Sequence, residues 1–272
     1  MKEGLKSYSS YQVAALRMIL AGLSLLLFLK KEWLLKSKKD TKYFAISGIL
    51  GSGVPAFLFT AAQTKIASSL AGALNGLTPL FALLVGVLFL GVQFNKYKLF
   101  GVILGLLGAF LLIFHEGVNL QLYHTSLIVL ATLCYGINVN IIKHKLGNYP
   151  PIFVAAYPLL IVGVLCMIIL YFIGFEFNFN MSQNIKSFGA IVILSIAGTA
   201  ISLVLFNKLI QKTTAVFASS VTYLIPIVAL FWGFIDHERI TFLQVVGLGC
   251  ILVAIWLIRK EKSVYKEESL IK

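Results

Sequence analysis

Acidic and histidine side chains are scarce in this 272-residue sequence: ten Asp and Glu, four His, and none of them in the middle of an apolar stretch. Chemistry inside such a stretch needs a general base, a nucleophile or a metal-binding set, so an enzyme built there is excluded. His115, His124, His144 and His237 all fall in connections between the stretches. The three cysteines, Cys134, Cys166 and Cys250, have no metal spacing and read as small packing residues. Charge of either sign is low at 12%, about half the roughly 25% of an ordinary soluble domain. A soluble enzyme is therefore excluded as well. Gly48, Gly51 and Gly53 faintly suggest a phosphate loop, but no Gly-Lys-Ser/Thr ending follows them. Neither a metal nor a cofactor is expected, and nothing in the sequence would couple ATP to work.

What is abundant is hydrocarbon, with 59% hydrophobic residues and a mean hydropathy of +0.94. Windows of about 19 residues mark nine apolar segments, at 12–29, 43–63, 68–91, 99–114, 125–142, 152–174, 187–206, 214–235 and 242–258. Lipid offers no partner to backbone N–H and C=O groups, so spanning segments are helices or closed barrels. Unalternating runs of this length are helical. The sequence thus predicts an all-α, polytopic membrane helix bundle of nine transmembrane helices.

The net charge of +13 first suggests nucleic acid or an anionic surface. Its distribution argues otherwise. With strict alternation of the spans, one set of connections holds Lys30, Lys31, Lys36, Lys38, Lys39, Lys42, Lys96, Lys98, Lys143, Lys145, Lys208 and Lys212, and the C-terminal tail 259–272 adds five more. These seventeen stand against five in the other set: Lys2, Lys6, Lys65, Lys186 and Arg239. The positive-inside rule then places Met1 outside and Lys272 in the cytoplasm, across the cytoplasmic membrane, with no nucleic-acid partner. The Lys-rich linker 30–42 is expected to touch anionic lipid. No small-residue cleavage site follows the first segment, so it reads as a retained helix.

Slid by 147 residues, the chain matches itself. Gly51 falls on Gly198, Ala71 on Ala218, the stretch 77–79 on 224–226, Ala82 on Ala229 and Gly86 on Gly233. An offset of 146 places Gly101 on Gly247, and one of 141 places 13–15 on 154–156. Matching helices cross in opposite directions under the charge assignment, which is an inverted-topology repeat. The expected units are a first repeat at 12–114 with four helices, a second at 125–258 with five, and a basic cytoplasmic tail.

The stretches 71–81 and 101–108, together with 218–232, 237–240 and 244–247, resemble the two repeats of the EamA family of the drug/metabolite transporter superfamily. That resemblance implies a secondary, alternating-access transporter of small metabolites, with export of amino acids or related compounds favoured and a nucleobase or drug-like cation left open as substrate. Members usually have ten helices, whereas only eleven residues precede Gln12. The partner of 125–142 is therefore expected to be absent, through a misplaced start or a nine-helix form. Val92 stands where the second repeat has Glu238. The competing expectation is a non-transporting membrane protein, either a receptor-like binder or a subunit of a larger assembly; a homodimer stays open.

Candidate site residues follow from polarity at depth. Pro79 and Pro226 each remove the hydrogen bond to the carbonyl four residues earlier, those of Asn75 and Thr222. Both prolines are expected to act as hinges, with Asn75 and Thr222 flanking a substrate cavity, or else merely to shape packing. Tyr135 and Asn138 share a helix face and either line that cavity or bond between helices. Tyr157, Tyr223 and Trp232 are further candidates, and an aromatic path tolerates aromatic or cationic guests. Arg17 lies roughly 7 Å in from Gln12. It either snorkels to the surface or meets an anionic substrate group or a partner carboxylate. Gln63 and Asn140 are polar groups needing partners, Asn207 is expected to cap a helix end beside Lys208, and Asp236 and Glu238 read as loop charges. The glycines 101 and 105 form a GxxxG spacing that predicts close helix packing.

Overall fold

The computed structural model describes residues 1–91, 96–114, 121–173, 175, 182–213, 215, 218, 221, 225, 228, 231 and 242–268. Among these residues there is no strand. The helices are α1 (Ser10–Leu25), the short α2 (Lys31–Lys36), α3 (Thr41–Gly48), α4 (Val54–Ala62), α5 (Ser68–Asn75), α6 (Thr78–Leu90), α7 (Lys96–Phe114), α8 (Gln121–Lys145), α9 (Pro151–Ile173), α10 (Ser182–Ser195), α11 (Ser202–Lys212) and α12 (Phe242–Glu268). They make six spans long and apolar enough to cross a membrane, at Ser10–Phe28, Lys38–Ala62, Leu70–Leu90, Leu122–Lys145, Pro151–Ile173 and Ser182–Lys212. Two shorter apolar helices, Leu99–Gly108 and Val245–Ala254, fall in the fourth and ninth expected segments. The eighth, 214–235, lies mostly outside the described residues. Large apolar side chains such as Leu27, Leu88, Phe89, Tyr171, Phe172 and Phe242 cover the outside, as a surface bathed in lipid tails requires.

Local chemistry sets the ends of these helices. Ser9 and Gln12 form a reciprocal capping box at the start of α1, Ser9 Oγ accepting from the Gln12 N–H at 3.3 Å and Gln12 Oε1 from the Ser9 N–H at 2.9 Å. Gly91 closes α6 in the left-handed region, φ 65°, a conformation in which a Cβ is unfavourable. The segment 68–91 is not one helix kinked at Pro79. It breaks at Gly76–Leu77, and Pro79 sits in the first turn of α6, where its missing N–H costs nothing. The Asn75 carbonyl accepts from Thr78 Oγ1 at 2.9 Å, so the group freed by the break is satisfied locally.

Two spans carry a π-helical turn at their middle. Ile49–Gly53 joins α3 to α4, and Ile196–Ile201 joins α10 to α11. The two turns lie 147 residues apart, the offset at which the sequence matches itself, and each widens its helix where another packs on it. Gly48 meets the Pro158 carbonyl of α9, a Cβ there falling 2.7 Å from the oxygen. The second π-turn lies against α1.

Small residues control how closely helices approach. Val13, Ala14 and Ala15 of α1 face Ala155, Ala156 and Leu159 of α9 in one buried cluster. A Cβ on Gly22 would stand 3.0 Å from the Leu159 carbonyl oxygen. In the α7–α12 pair, a Cβ on Gly108 would come within 2.6 Å of the Gly247 carbonyl oxygen. Gly101 and Gly105 of the same helix are buried. Cys134 and Cys166 are buried and Cys250 half-buried, all as free thiols.

Side-chain contacts show which connections share an end of the bundle. At one end Ser7 pairs with Ser187 (3.0 Å), Tyr8 donates to the Asn184 carbonyl (3.4 Å) and Ser187 donates to the Glu3 carbonyl (2.8 Å). At the other, Tyr149 donates to Asp40 (2.6 Å), Gln211 Nε2 to the Tyr149 carbonyl (2.8 Å), and Lys143 Nζ to the Ile210 and Gln211 carbonyls (3.2 Å each). This second end carries the lysine-rich connections 30–42, 143–150 and 208–213. The spans containing the two π-turns therefore run in opposite directions between the same two ends.

Candidate functional site

The centre of the bundle is organised by Arg17. It stands at the middle of α1, and Tyr135 stands near the middle of the 25-residue α8. Both are partly exposed although each is deep in its span and enclosed by other helices. Side chains in that position line an interior space. Arg17 Nε donates to Thr199 Oγ1 at 2.8 Å, and the Thr199 hydroxyl donates in turn to the Leu194 carbonyl at 3.2 Å. Thr199 belongs to the second π-turn, so the local widening of that helix is what brings its hydroxyl to the guanidinium. Arg17 also interacts electrostatically with Tyr135, whose ring stacks on Phe59 of α4 at 6.0 Å between centroids. Four elements, α1, α4, α8 and the second π-turn, thus converge on one polar site with an aromatic wall.

The charge of this site is unbalanced. An arginine at the centre of a spanning helix costs about 2.5–3.5 kcal/mol on insertion scales, and intramembrane charges are ordinarily paired. Among the described residues Arg17 makes the Thr199 bond and no carboxylate pair. The sequence offers none at this depth either, since all ten carboxylates lie outside the apolar segments. Arg17 is held within the bundle by its bond to Thr199 and also interacts electrostatically with the Met1 ammonium.

The other sequence candidates go to different places. Asn138 lies on the same face as Tyr135 but takes a hydrogen bond from Ser47 Oγ at 2.6 Å, a buried link between α8 and α3. Asn140 donates to the Ala82 and Gly136 carbonyls, both at 2.9 Å, and ties α8 to α6. Tyr157 stands in the aromatic cluster at the lysine-rich end, 5.2 Å from Phe44 and 5.3 Å from Phe153, away from Arg17. Asn75 is buried at the α5–α6 break, and its amide nitrogen has no hydrogen-bond partner among the described residues. Asn207 does not cap a helix end. It is 1% exposed, and its Oδ1 has no partner among the described residues. Thr222, Tyr223, Pro226, Trp232, Asp236 and Glu238 lie outside the described residues. Thr199 and Phe59 were not signalled by polarity alone, although the 147-residue offset places Ser52 on Thr199 beside the matched glycines.

At the N-terminal end a cavity of about 750 Å³ opens between residues 2–10 and the turn 63–67, lined by Lys2, Lys6, Lys65, Tyr8 and Gln63 among others. Gln63 Oε1 is buried there without a hydrogen-bond partner among the described residues. Glu3 pairs with Lys6 at 2.7 Å, and hydrogen bonds from Lys6 and then Gln183 hold its carboxyl below the usual range. At the opposite end burial, reinforced by Asp40, pushes the Tyr149 hydroxyl up to about 12.

A multi-span helical bundle with a polar, positively charged interior site is the architecture of a membrane transporter. The comparisons with known proteins specify the class further: the chain belongs to the EamA-like transporter family, which it matches over residues 1–114 and 124–260. It is 26% identical over 265 residues to an uncharacterized transporter of Archaeoglobus fulgidus, covering 96% of this chain and 93% of that protein. It is 24% identical to the uncharacterized transporter YoaV of Bacillus subtilis, covering 94% and 89%, and 24% identical to the uncharacterized inner membrane transporter YedA of Escherichia coli, covering 96% and 85%. A crystal structure of a protein with 14% identity superimposes with a TM-score of 0.68, over 95% of this chain and 90% of that one, and supports the fold.

Proposed function

We propose that this membrane transporter works by alternating access and exports small metabolites, amino acids or related compounds, across the cytoplasmic membrane. The observation that carries the reading is the Arg17–Thr199–Tyr135 site, assembled at mid-span by helices from both halves of the chain. Two units, 12–114 and 125–258, rock against each other about this site. Support for the pairing comes from the π-turns, which occur at matched positions in oppositely directed spans and supply wider, adjustable segments where the units meet. The N-terminus lies outside and the lysine-rich end faces the cytoplasm, as seventeen Lys and Arg against five support. Asn75 and Thr222, beside Pro79 and Pro226, flank the path, and Tyr223 and Trp232 extend its aromatic wall. The vestibule beside Gln63 is its outer mouth.

Export is tested in cells fed dipeptides, which raise cytoplasmic amino acids. Cells expressing the chain release at least one amino acid faster than cells without it. Equal release across the whole panel contradicts export.

A further inference from the structure

The unbalanced charge at mid-span identifies the chemistry of the ligand. We propose that Arg17 is the docking group for a single carboxylate, and that the molecule moved is a monocarboxylate whose apolar or aromatic remainder lies on the Tyr135–Phe59 wall. The proposal rests on the transporter reading above and deepens it.

A guanidinium has five N–H donors in a planar fork. In Arg17 one of them, on Nε, is used by Thr199, whose own hydrogen is committed to the Leu194 carbonyl. That arrangement fixes the plane of the fork and leaves both Nη groups without a hydrogen-bond partner among the described residues. Two parallel N–H donors match the two oxygens of a carboxylate. The counter-charge cannot come from mid-span, since no Asp or Glu occurs in the nine apolar segments, so the ligand supplies it. The Met1 ammonium also interacts electrostatically with Arg17, so the site favours an anion, and the aromatic wall beside the fork favours one that carries an apolar remainder. Tyr135 offers a hydroxyl with no hydrogen-bond partner among the described residues, beside the Phe59 ring. An α-ammonium, where the ligand has one, meets these aromatic faces and not a carboxylate.

The test is binding, independent of flux. The intact chain in lipid nanodiscs is titrated with a panel of α-amino acids, 2-oxo acids and 2-hydroxy acids, with the matching amides and with inorganic phosphate, and the melting temperature is followed. At least one monocarboxylate stabilises the wild type while its amide does not. Arg17→Gln weakens that ligand on the order of 100-fold; Arg17→Lys, which keeps the charge but loses the fork, weakens it less. Each variant is accepted only with a wild-type elution profile, and Thr199→Val, which frees the fork to rotate, lowers affinity in a protein that keeps the charge. The proposal is overturned if no monocarboxylate stabilises the protein, if amides or phosphate bind as well as acids, or if Arg17→Gln keeps full affinity. A carboxylate that binds through Arg17 but is never exchanged across a bilayer defeats the transporter reading alone. Exchange indifferent to Arg17 and to the carboxylate defeats this proposal alone.

Discussion

Gly51 in the first π-turn has no room for a side chain, and the cost of adding one follows from the geometry. A Cβ there would lie 2.6 Å from Asn138 Cγ and 3.1 Å from its Oδ1. Its Nδ2 lies nearer still, so to reach ordinary contact Asn138 retreats by more than about 1 Å, since heavy atoms repel steeply inside roughly 3.5 Å. The Ser47–Asn138 hydrogen bond of 2.6 Å then stretches to or past the limit for such a bond. Leaving that buried acceptor unmet costs about 1–3 kcal/mol, and overpacking adds about 1–3 kcal/mol. Gly51→Ala is therefore expected to destabilise by about 2–5 kcal/mol, a fall in melting temperature of roughly 5–15 °C on the scale of chains this long. The penalty depends on one neighbour, so in an Asn138→Ala background the same substitution costs less than about 1 kcal/mol. Gly189→Ala is the control: nothing lies within 4 Å of its Cβ, and replacing a helical glycine by alanine there gains a few tenths of a kcal/mol or more. Thermal unfolding of the purified variants in one detergent reads all four proteins. An unchanged Gly51→Ala, or an equal loss in both backgrounds, refutes the packing argument.

Gly108→Leu drives a side chain into the Gly247 carbonyl and Ile251, so α7 and α12 separate; cysteine pairs placed across that contact lose their cross-linking, whereas retention would contradict it. Lys143→Met removes the cation that donates to the last carbonyls of α11 and costs about 1 kcal/mol, checked by melting temperature. The hydroxyl of Tyr149 is raised to about 12 in the folded protein from 10.0, so it favours folding fully below pH 10 and its contribution fades as the pH climbs through 12. A melting-temperature scan from pH 8 to 12 falls at the alkaline end for the wild type, and Tyr149→Phe lacks that component; identical profiles would exclude the buried Tyr149 hydroxyl as its source. In a cysteine-less background, Lys65→Cys in intact cells reacts with an impermeant thiol reagent and Lys145→Cys reacts only after lysis; the reverse pattern inverts the proposed orientation.

Much of the fold was legible because a bilayer leaves few choices. A run of about 20 apolar residues has to be helical, and six spans with two shorter apolar helices fall where hydropathy puts them. The Val-Ala-Ala stretches at 13–15 and 154–156 were legible as a repeat match, whereas their packing in one buried cluster across α1 and α9 came only with the fold. The π-turns were not legible: one extra residue in a helical turn leaves the composition unchanged, and the glycines around Gly51 and Gly198 signalled only close packing. Pro79 misled for a related reason, since proline suits both a kink and the first turn of a new helix, and the choice was made by Thr78 capping the Asn75 carbonyl. Within the site, Arg17 was readable as an outlier of charge, but its partner Thr199 lies 182 residues away and only the fold brings them together. Tyr135 and Asn138 share a face, yet one turn of α8 separates a residue beside Arg17 from one held by Ser47.

The central claim is that the chain exchanges a small metabolite across a bilayer, and counterflow in proteoliposomes tests it most directly. Vesicles containing the purified chain are loaded with unlabelled compound and diluted into its labelled form, across a panel of amino acids and other monocarboxylates, a nucleoside and an organic cation. The account predicts a saturable, transient overshoot for at least one monocarboxylate, abolished by Arg17→Gln. No overshoot for any compound, from protein that is folded and inserted, would contradict it.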